Sequence, residues 1–199
     1  MLDHRADYLP ALLQLALLEA REGNEQEMAV LLNRAMQAHP QALQPRLMLG
    51  RYYLWKNEPD KIPALFSTLT VLQQQSPQVL HLQALAQLAD QQHNDAVYTL
   101  EQLVQLQPDT ALAHHLLGTA AAGAGDFDQA REEFQRALAL DDNYPPTLVA
   151  LARLAWADGD TALFEEYLQR LTELAADAPD VLRLRAAAAW RAGDQQQAI

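Results

Sequence analysis

A Gly-Asp pair recurs every 34 residues, at Gly125-Asp126, Gly159-Asp160 and Gly193-Asp194, and no other feature of the sequence constrains its fold as strongly. Stepping back by the same interval reaches Gln91-Gln92, Asn57-Glu58 and Gly23-Asn24 without an insertion. Seven residues before each turn stands a small residue: Ala16, Gly50, Ala84, Gly118, Ala152 and Ala186. Nine residues after it stands a large apolar one: Leu32, Phe66, Leu100, Phe134 and Leu168. A further apolar column runs through Ala38, Leu72, Leu106, Leu140 and Leu174. Self-similarity at such a period marks an array of repeated supersecondary units, each too small to bury its own apolar face.

Between turns the apolar residues fall at helical spacing, as in Leu12, Leu13, Leu15, Ala16 and Leu17. Each unit therefore holds two helices joined at the Gly-Asp turn. Glycine accepts the positive φ of a helix end, and Asp caps the helix that follows. The small column lets two backbones approach, and the large column fills the space around that contact. Pro10, Pro45, Pro77, Pro145 and Pro179 stand where first helices begin, a position that tolerates the missing donor. Pro40 and Pro108 fall at joins between units. Pro59 and Pro63 predict a late or bent second helix in the second unit.

Composition removes several function classes. The chain has 199 residues, 50% of them hydrophobic, which excludes a disordered polymer. It has no Cys, so disulfides, thiol chemistry and Cys-based zinc sites are excluded. Its net charge of −12 opposes nucleic-acid binding, which needs clustered Lys and Arg. No apolar run approaches the roughly 20 residues of a membrane span. Asp3 and Asp7 interrupt any signal-like stretch. The pattern stops in mid-unit after Asp194, so the chain reads as a piece of a longer protein.

These columns resemble the tetratricopeptide repeat family over about residues 9–199. The best unit runs from Ala111 to Asn143, with Leu117-Gly118, Gly125-Asp126-Phe127, Ala130, Phe134, Ala137-Leu138 and Asp141. The resemblance implies an all-α fold, a right-handed superhelix or solenoid of about six antiparallel helical hairpins. The repeats are 9–42, 43-76, 77–110, 111–144, 145–178 and an incomplete 179–199, forming one array over 1–199. The family's first-helix Trp is replaced by Leu12, Arg46, Leu80, His114, Leu148 and Leu182, and its Tyr survives only at Tyr53. Gln83 and Arg185 interrupt the apolar position before the small residue, which predicts weaker packing there.

In the family, first-helix positions line a concave groove that binds ligands. Carried onto this sequence they include Pro10, Leu13, Leu17, Ala20, Arg21, Arg51, Leu54, Trp55, His81, His115, Thr119, Arg153, Trp156, Asp180, Arg183, Trp190 and Arg191. The candidate partner-binding residues are Arg51, Trp55, His81, His115, Arg153, Trp156, Arg183, Trp190 and Arg191. All three Trp fall in this set, and Asp180 is the one acid in the groove positions. Trp and Arg are enriched among interface hot spots. The alternative is that the Trp rings pack between neighbouring repeats. The family's Lys and Asn clamp for a peptide carboxylate is missing, since Leu13 and Leu17 occupy its first-unit positions.

No catalytic, cofactor or metal site emerges. His81 and His115 sit in one column of adjacent repeats, too far apart for a single ion, and read with His114 as exposed groove histidines. Glu132-Glu133 and Glu165-Glu166 are sequence neighbours, which do not face each other in a helix, and read as solvated second-helix faces. Gly118, Gly123 and Gly125 do not follow a strand and form no phosphate loop.

The expected function is a non-enzymatic scaffold that presents its groove to a protein or peptide. Self-association through terminal hairpins is also expected. A finer resemblance lies in Pro45-Arg-Leu-Met-Leu-Gly-Arg-Tyr-Tyr-Leu54 followed by Pro59-Asp-Lys61, in Leu106-Gln-Pro-Asp109 and in Leu148-Val-Ala-Leu-Ala-Arg-Leu154. These phrases are similar to repeat lipoproteins of bacterial exopolysaccharide and PEP-CTERM sorting systems. That resemblance implies a periplasmic or outer-membrane setting and adds an acidic polysaccharide as a partner. The alternative is a cytoplasmic peptide-binding adaptor, or a regulatory repeat module of a larger protein, enzymatic or not.

Overall fold

The first helix of every repeat begins on the 34-residue period, at residues 9, 43, 77, 111, 145 and 179. In the computed structural model, which describes residues 7–193, twelve α-helices and no strand are present among the described residues. Asp3 and the closing stretch from Asp194 lie outside those residues. The chain divides into two compact units, Met1–Leu103 and Val104–Ile199.

The first unit opens with α1 (Leu9–Glu22) and α2 (Glu25–Ala38), packed as an antiparallel pair. Helix α3 (Leu43–Trp55) packs on α2. Its expected partner helix is broken. A 3₁₀ turn at Pro59–Lys61 leads into α4 (Ile62–Phe66) and then α5 (Val71–Gln74). The prolines start the piece late, as the sequence predicts. The second break is held by Thr70, whose hydroxyl accepts from the Gln73 amide while Gln73 reaches back to the Thr70 amide. Ile62 and Phe66 still bury with Leu47, Val79 and Leu82, so the break spares the core. It leaves Leu72 81% exposed. Helix α6 (Pro77–Ala89) completes the packing against α3 and α4, and α7 (His93–Leu106) begins in this unit and crosses the division.

The second unit is more regular. Helix α8 (Ala111–Ala124) pairs with α9 (Phe127–Leu140), and α10 (Pro145–Asp158) pairs with α11 (Thr161–Ala175). Helix α12 (Pro179–Ala192) packs on α11 and α10. Asp126 and Asp160 cap α9 and α11, each accepting from a backbone amide at 3.0 Å.

The turn column takes the left-handed conformation throughout the described hairpins. Gly23, Gly125, Gly159 and Gly193 have φ of 79–88°, and Asn57 and Gln91 at the equivalent positions have φ of 59°. The large column is buried at Leu32, Phe66, Leu100, Phe134 and Leu168. In the small column Ala16, Gly50, Ala84, Gly118 and Ala152 are buried, and Ala186 in α12 is half-buried. The other apolar column, from Ala38 to Leu174, lies at the surface, because these residues stand in the last turns of second helices or in the break.

Two expectations need correction. Glu133 does not lie on a solvated face: it is 4% exposed, because α9 turns it inward onto His114 at 2.7 Å. Nor are the histidines exposed. His114 is buried against Glu133 and Pro108, and His81 and His115 are half-buried, the latter beside the rings of Phe134 and Tyr144.

Candidate functional site

The second unit contains a cleft of about 510 Å³ walled by three first helices. Helix α8 supplies His115, Thr119 and Ala122. Helix α10 supplies Pro145, Pro146, Val149, Ala150, Arg153 and Leu154, and Asp180 and Val181 come from α12. Phe134, Leu171 and Ala175 of the second helices close the floor. Four sequence-derived groove positions, His115, Thr119, Arg153 and Asp180, are thus brought together. The 34-residue period does this: it places equivalent faces of successive first helices side by side.

The cleft is mostly apolar with a charged edge. Arg153 Nη2 donates to Asp180 Oδ1 at 2.8 Å, and Arg183 Nη2 lies 3.7 Å from the same oxygen. One carboxylate therefore stands between two arginines, in a chain of net charge −12. Both side chains of the closer pair are about half exposed, 60% and 47%. Pairs of this kind are worth roughly 0–1 kcal/mol, so Arg153 is released at little cost.

On the α8 wall, His115 Nδ1 lies 3.0 Å from the hydroxyl of Thr147, a fully buried residue that sequence reasoning missed. The ring packs edge-on to Tyr144 at 5.4 Å and beside Phe134 at 5.6 Å. Burial pushes its protonation below the ordinary histidine range, so the cleft meets a neutral imidazole.

Trp156 is already occupied. Its ring centroid lies 4.9 Å from that of buried Phe164, and the Arg191 guanidinium carbon sits 3.5 Å from its centroid. Phe164 belongs to the same repeat, and Arg191 of the next repeat is stacked on Trp156 as a cation–π cover. Trp190 on α12 is 69% exposed.

In the first unit the candidate residues are Arg51, Trp55 and His81. Trp55 is 69% exposed, with Lys56 Nζ 5.2 Å from its ring centroid and the Tyr52 ring at 6.1 Å. Glu25 fixes this corner by accepting from Lys56 at 2.8 Å and from the Tyr52 hydroxyl at 3.0 Å. These bonds lower the Glu25 protonation and raise that of Lys56. Burial, and then the Arg51 charge, hold His81 below the ordinary histidine range. Arg51 and His81 therefore sense each other, whereas Trp55 stands with Tyr52 and Lys56.

Among the described residues, no cluster of three or more His, Asp or Glu could hold a metal ion. No helix among them is long and apolar enough to cross a membrane.

A tetratricopeptide-repeat family model matches residues 121–188, the region of α9 to α12 and the end of α8. No curated protein matches the chain. Solved structures are similar along nearly its full length. PilF of Pseudomonas aeruginosa is 20% identical over 98% of this chain and 89% of its own, with a TM-score of 0.78. PilW, described as a widely conserved type IV pilus biogenesis factor, is 18% identical over 96% and 88%, with a TM-score of 0.82. MamA of Desulfovibrio magneticus RS-1 is 19% identical over 87% and 98%, with a TM-score of 0.77. At these identities the likeness is one of fold.

Proposed function

We propose that this tetratricopeptide-repeat protein is a non-enzymatic interaction scaffold whose second unit takes an extended, acidic segment of a partner protein into the cleft between α8, α10 and α12. The observation that carries this reading is Asp180 between Arg153 and Arg183. An internal carboxylate already occupies the position that a ligand carboxylate would take, and it is weakly held. The apolar lining from Val149, Ala150, Leu154 and Val181 suits the aliphatic parts of such a segment. Arg191 and Trp156 border α10 and α12 as a stacked pair rather than as free anchors.

Assembly of a bacterial envelope structure is the setting that the fold relatives favour, since PilW is described as a pilus biogenesis factor. An exopolysaccharide or PEP-CTERM sorting role is the finer reading of the same setting. It would use the exposed rings of Trp55 and Trp190 as sugar-stacking faces.

The test is an isothermal calorimetric titration with extended peptides of about 10–12 residues rich in Asp and Leu, in Lys and Leu, and with an acidic polysaccharide. The reading expects saturable binding of the acidic peptide alone. It also expects Asp180→Asn to tighten binding and Arg153→Ala with Arg183→Ala to weaken it. Binding of the polysaccharide alone would move the function to the sugar reading. Equal binding of acidic and basic peptides would remove the charge argument.

A further inference from the structure

We propose that the outward face of α1 is a docking surface for a basic amphipathic helix of a partner protein, seated there as second helices seat on the later first helices. The proposal concerns the first unit and is independent of what the cleft binds. Ala11, Leu15 and Leu18 form one stripe of α1 at helical spacing. All three are exposed, Leu15 and Leu18 by nearly half. Their equivalents at 34-residue steps are covered. In the Ala11 column Pro45, Val79, Ala113, Thr147 and Val181 are all buried. In the Leu15 column the apolar members Leu49, Leu117 and Leu151 are buried, and the others are polar, Gln83 and Arg185. In the Leu18 column Ala86 and Ala120 are buried. The cover is the second helix of the preceding repeat: α2 packs on α3, α4 on α6, α9 on α10 and α11 on α12. Leu49 shares its core cluster with Met28 and Leu32 of α2. Among the described residues no helix plays this part for α1, so its face continues a series of interfaces the fold already makes.

Charge narrows the occupant. Glu22, the last residue of α1, is exposed and meets only a long bond, from Asn24 Nδ2 at 3.4 Å, among the described residues. Its equivalents Lys56 and Asp158 both reach the second helix laid against them. Lys56 Nζ donates to Glu25 of α2 at 2.8 Å, and Arg131 Nη2 of α9 donates to Asp158 at 2.6 Å. This column is therefore matched in charge to the helix that covers it, and a carboxylate there meets a cation. Glu22 calls for the same partner as Asp158. A second copy of α1 supplies none. An antiparallel pair would set Glu22 across from residues 8–11, which hold no cation, and a parallel pair would set it beside its own copy. The fitting partner is a helix with an apolar stripe and an Arg or Lys placed as Arg131 is in α9, docked through anchors about one turn apart.

The probe is a peptide of the α9 sequence, Phe127–Leu140, that keeps Arg131 and carries Glu132→Lys and Glu133→Gln to make it basic. Titrated into the full chain, it should shift the amide resonances of Ala11, Leu15, Leu18 and Glu22 together and saturably. Leu15→Glu with Leu18→Glu, both at exposed positions, should weaken binding about tenfold or more. Glu22→Arg should weaken it about threefold, and a peptide that also carries Arg131→Glu should recover that loss on the Glu22→Arg chain. No saturable shift on α1, or equal binding to the Leu15→Glu, Leu18→Glu chain, overturns the proposal. Failure of the exchanged charges to recover binding overturns it as well. So does a dimer of the chain alone, seen by sedimentation equilibrium, that Leu15→Glu with Leu18→Glu breaks, because the face then belongs to a second copy.

Discussion

Arg46 and His114 stand two repeat periods apart and make the same bond: each donates at 2.8 Å to the carbonyl of a proline six residues before it, Pro40 and Pro108 respectively. Both occupy the buried column that Leu12, Leu80 and Leu148 fill with apolar side chains. The polar versions tie the joint between repeats to the helix that follows. A related tie occurs one repeat later, where Arg170 donates to the Asp142 carbonyl.

Arg46 is the costlier of the two. Only Nη2 is used, by Pro40 and by Thr68 Oγ1 at 2.7 Å, while Nε and Nη1 are buried without partners. Among the described residues no carboxylate is paired with it, and burial lowers its protonation. Arg46→Leu should therefore stabilise the first unit by about 1 kcal/mol, since exposed Pro40 can turn to water for its lost bond. Urea denaturation checks this, and a loss of more than about 1 kcal/mol would mean the joint bond outweighs the buried charge.

The small column predicts a graded response. A methyl group on Gly118 would lie 2.7 Å from the Phe134 ring and 3.1 Å from the Ala130 carbonyl oxygen, neither of which can move freely. One on Gly50 would meet the end of the flexible Leu82 side chain. Gly118→Ala should cost about 1–3 kcal/mol and Gly50→Ala clearly less, read from thermal or urea unfolding of each variant.

Gln91 holds a left-handed backbone that its neighbours in the turn column assign to glycine or asparagine. Glycine removes that strain and gives back part of the gain in unfolded-chain freedom. Gln91→Gly should stabilise by up to about 1 kcal/mol. Gly125→Ala should cost about 1 kcal/mol by strain alone, because nothing lies within 4 Å of the added methyl.

Burial lowers the protonation of both His81 and His115 in the folded chain. The unfolded chain then takes up protons first as pH falls below about 6.5, so their contribution is full above that value and lost on acidification. Between about pH 7 and about pH 5 the unmodified chain should lose more stability than a His81→Gln, His115→Gln variant. The difference in urea midpoints measures it.

The period made the helix starts, the left-handed turns and the buried columns legible, because each follows from local residue type at a fixed interval. The break after Phe66 was half legible: Pro59 and Pro63 announced a late start, but the second stop rests on the Thr70–Gln73 box. The burial of Glu133 was not legible in α9 itself. Glu132 and Glu133 are identical in type, and only His114, nineteen residues earlier, distinguishes them. The signal that existed was the shared spacing of Pro40 to Arg46 and Pro108 to His114. The pairing of Arg153 with Asp180, 27 residues away, was hidden for the same reason, although both belonged to the groove positions. Trp156 looked like an anchor in sequence because its stacking partner Arg191 lies on another helix.

The most direct test of the scaffold reading is chemical-shift mapping of the chain with an acidic, leucine-containing peptide. Resonances of His115, Thr119, Val149, Arg153 and Val181 should shift together and saturate, with Asp180 released from Arg153. Shifts confined to the outer face of α11, at Glu165 and Glu173, or no shift at all, would contradict it.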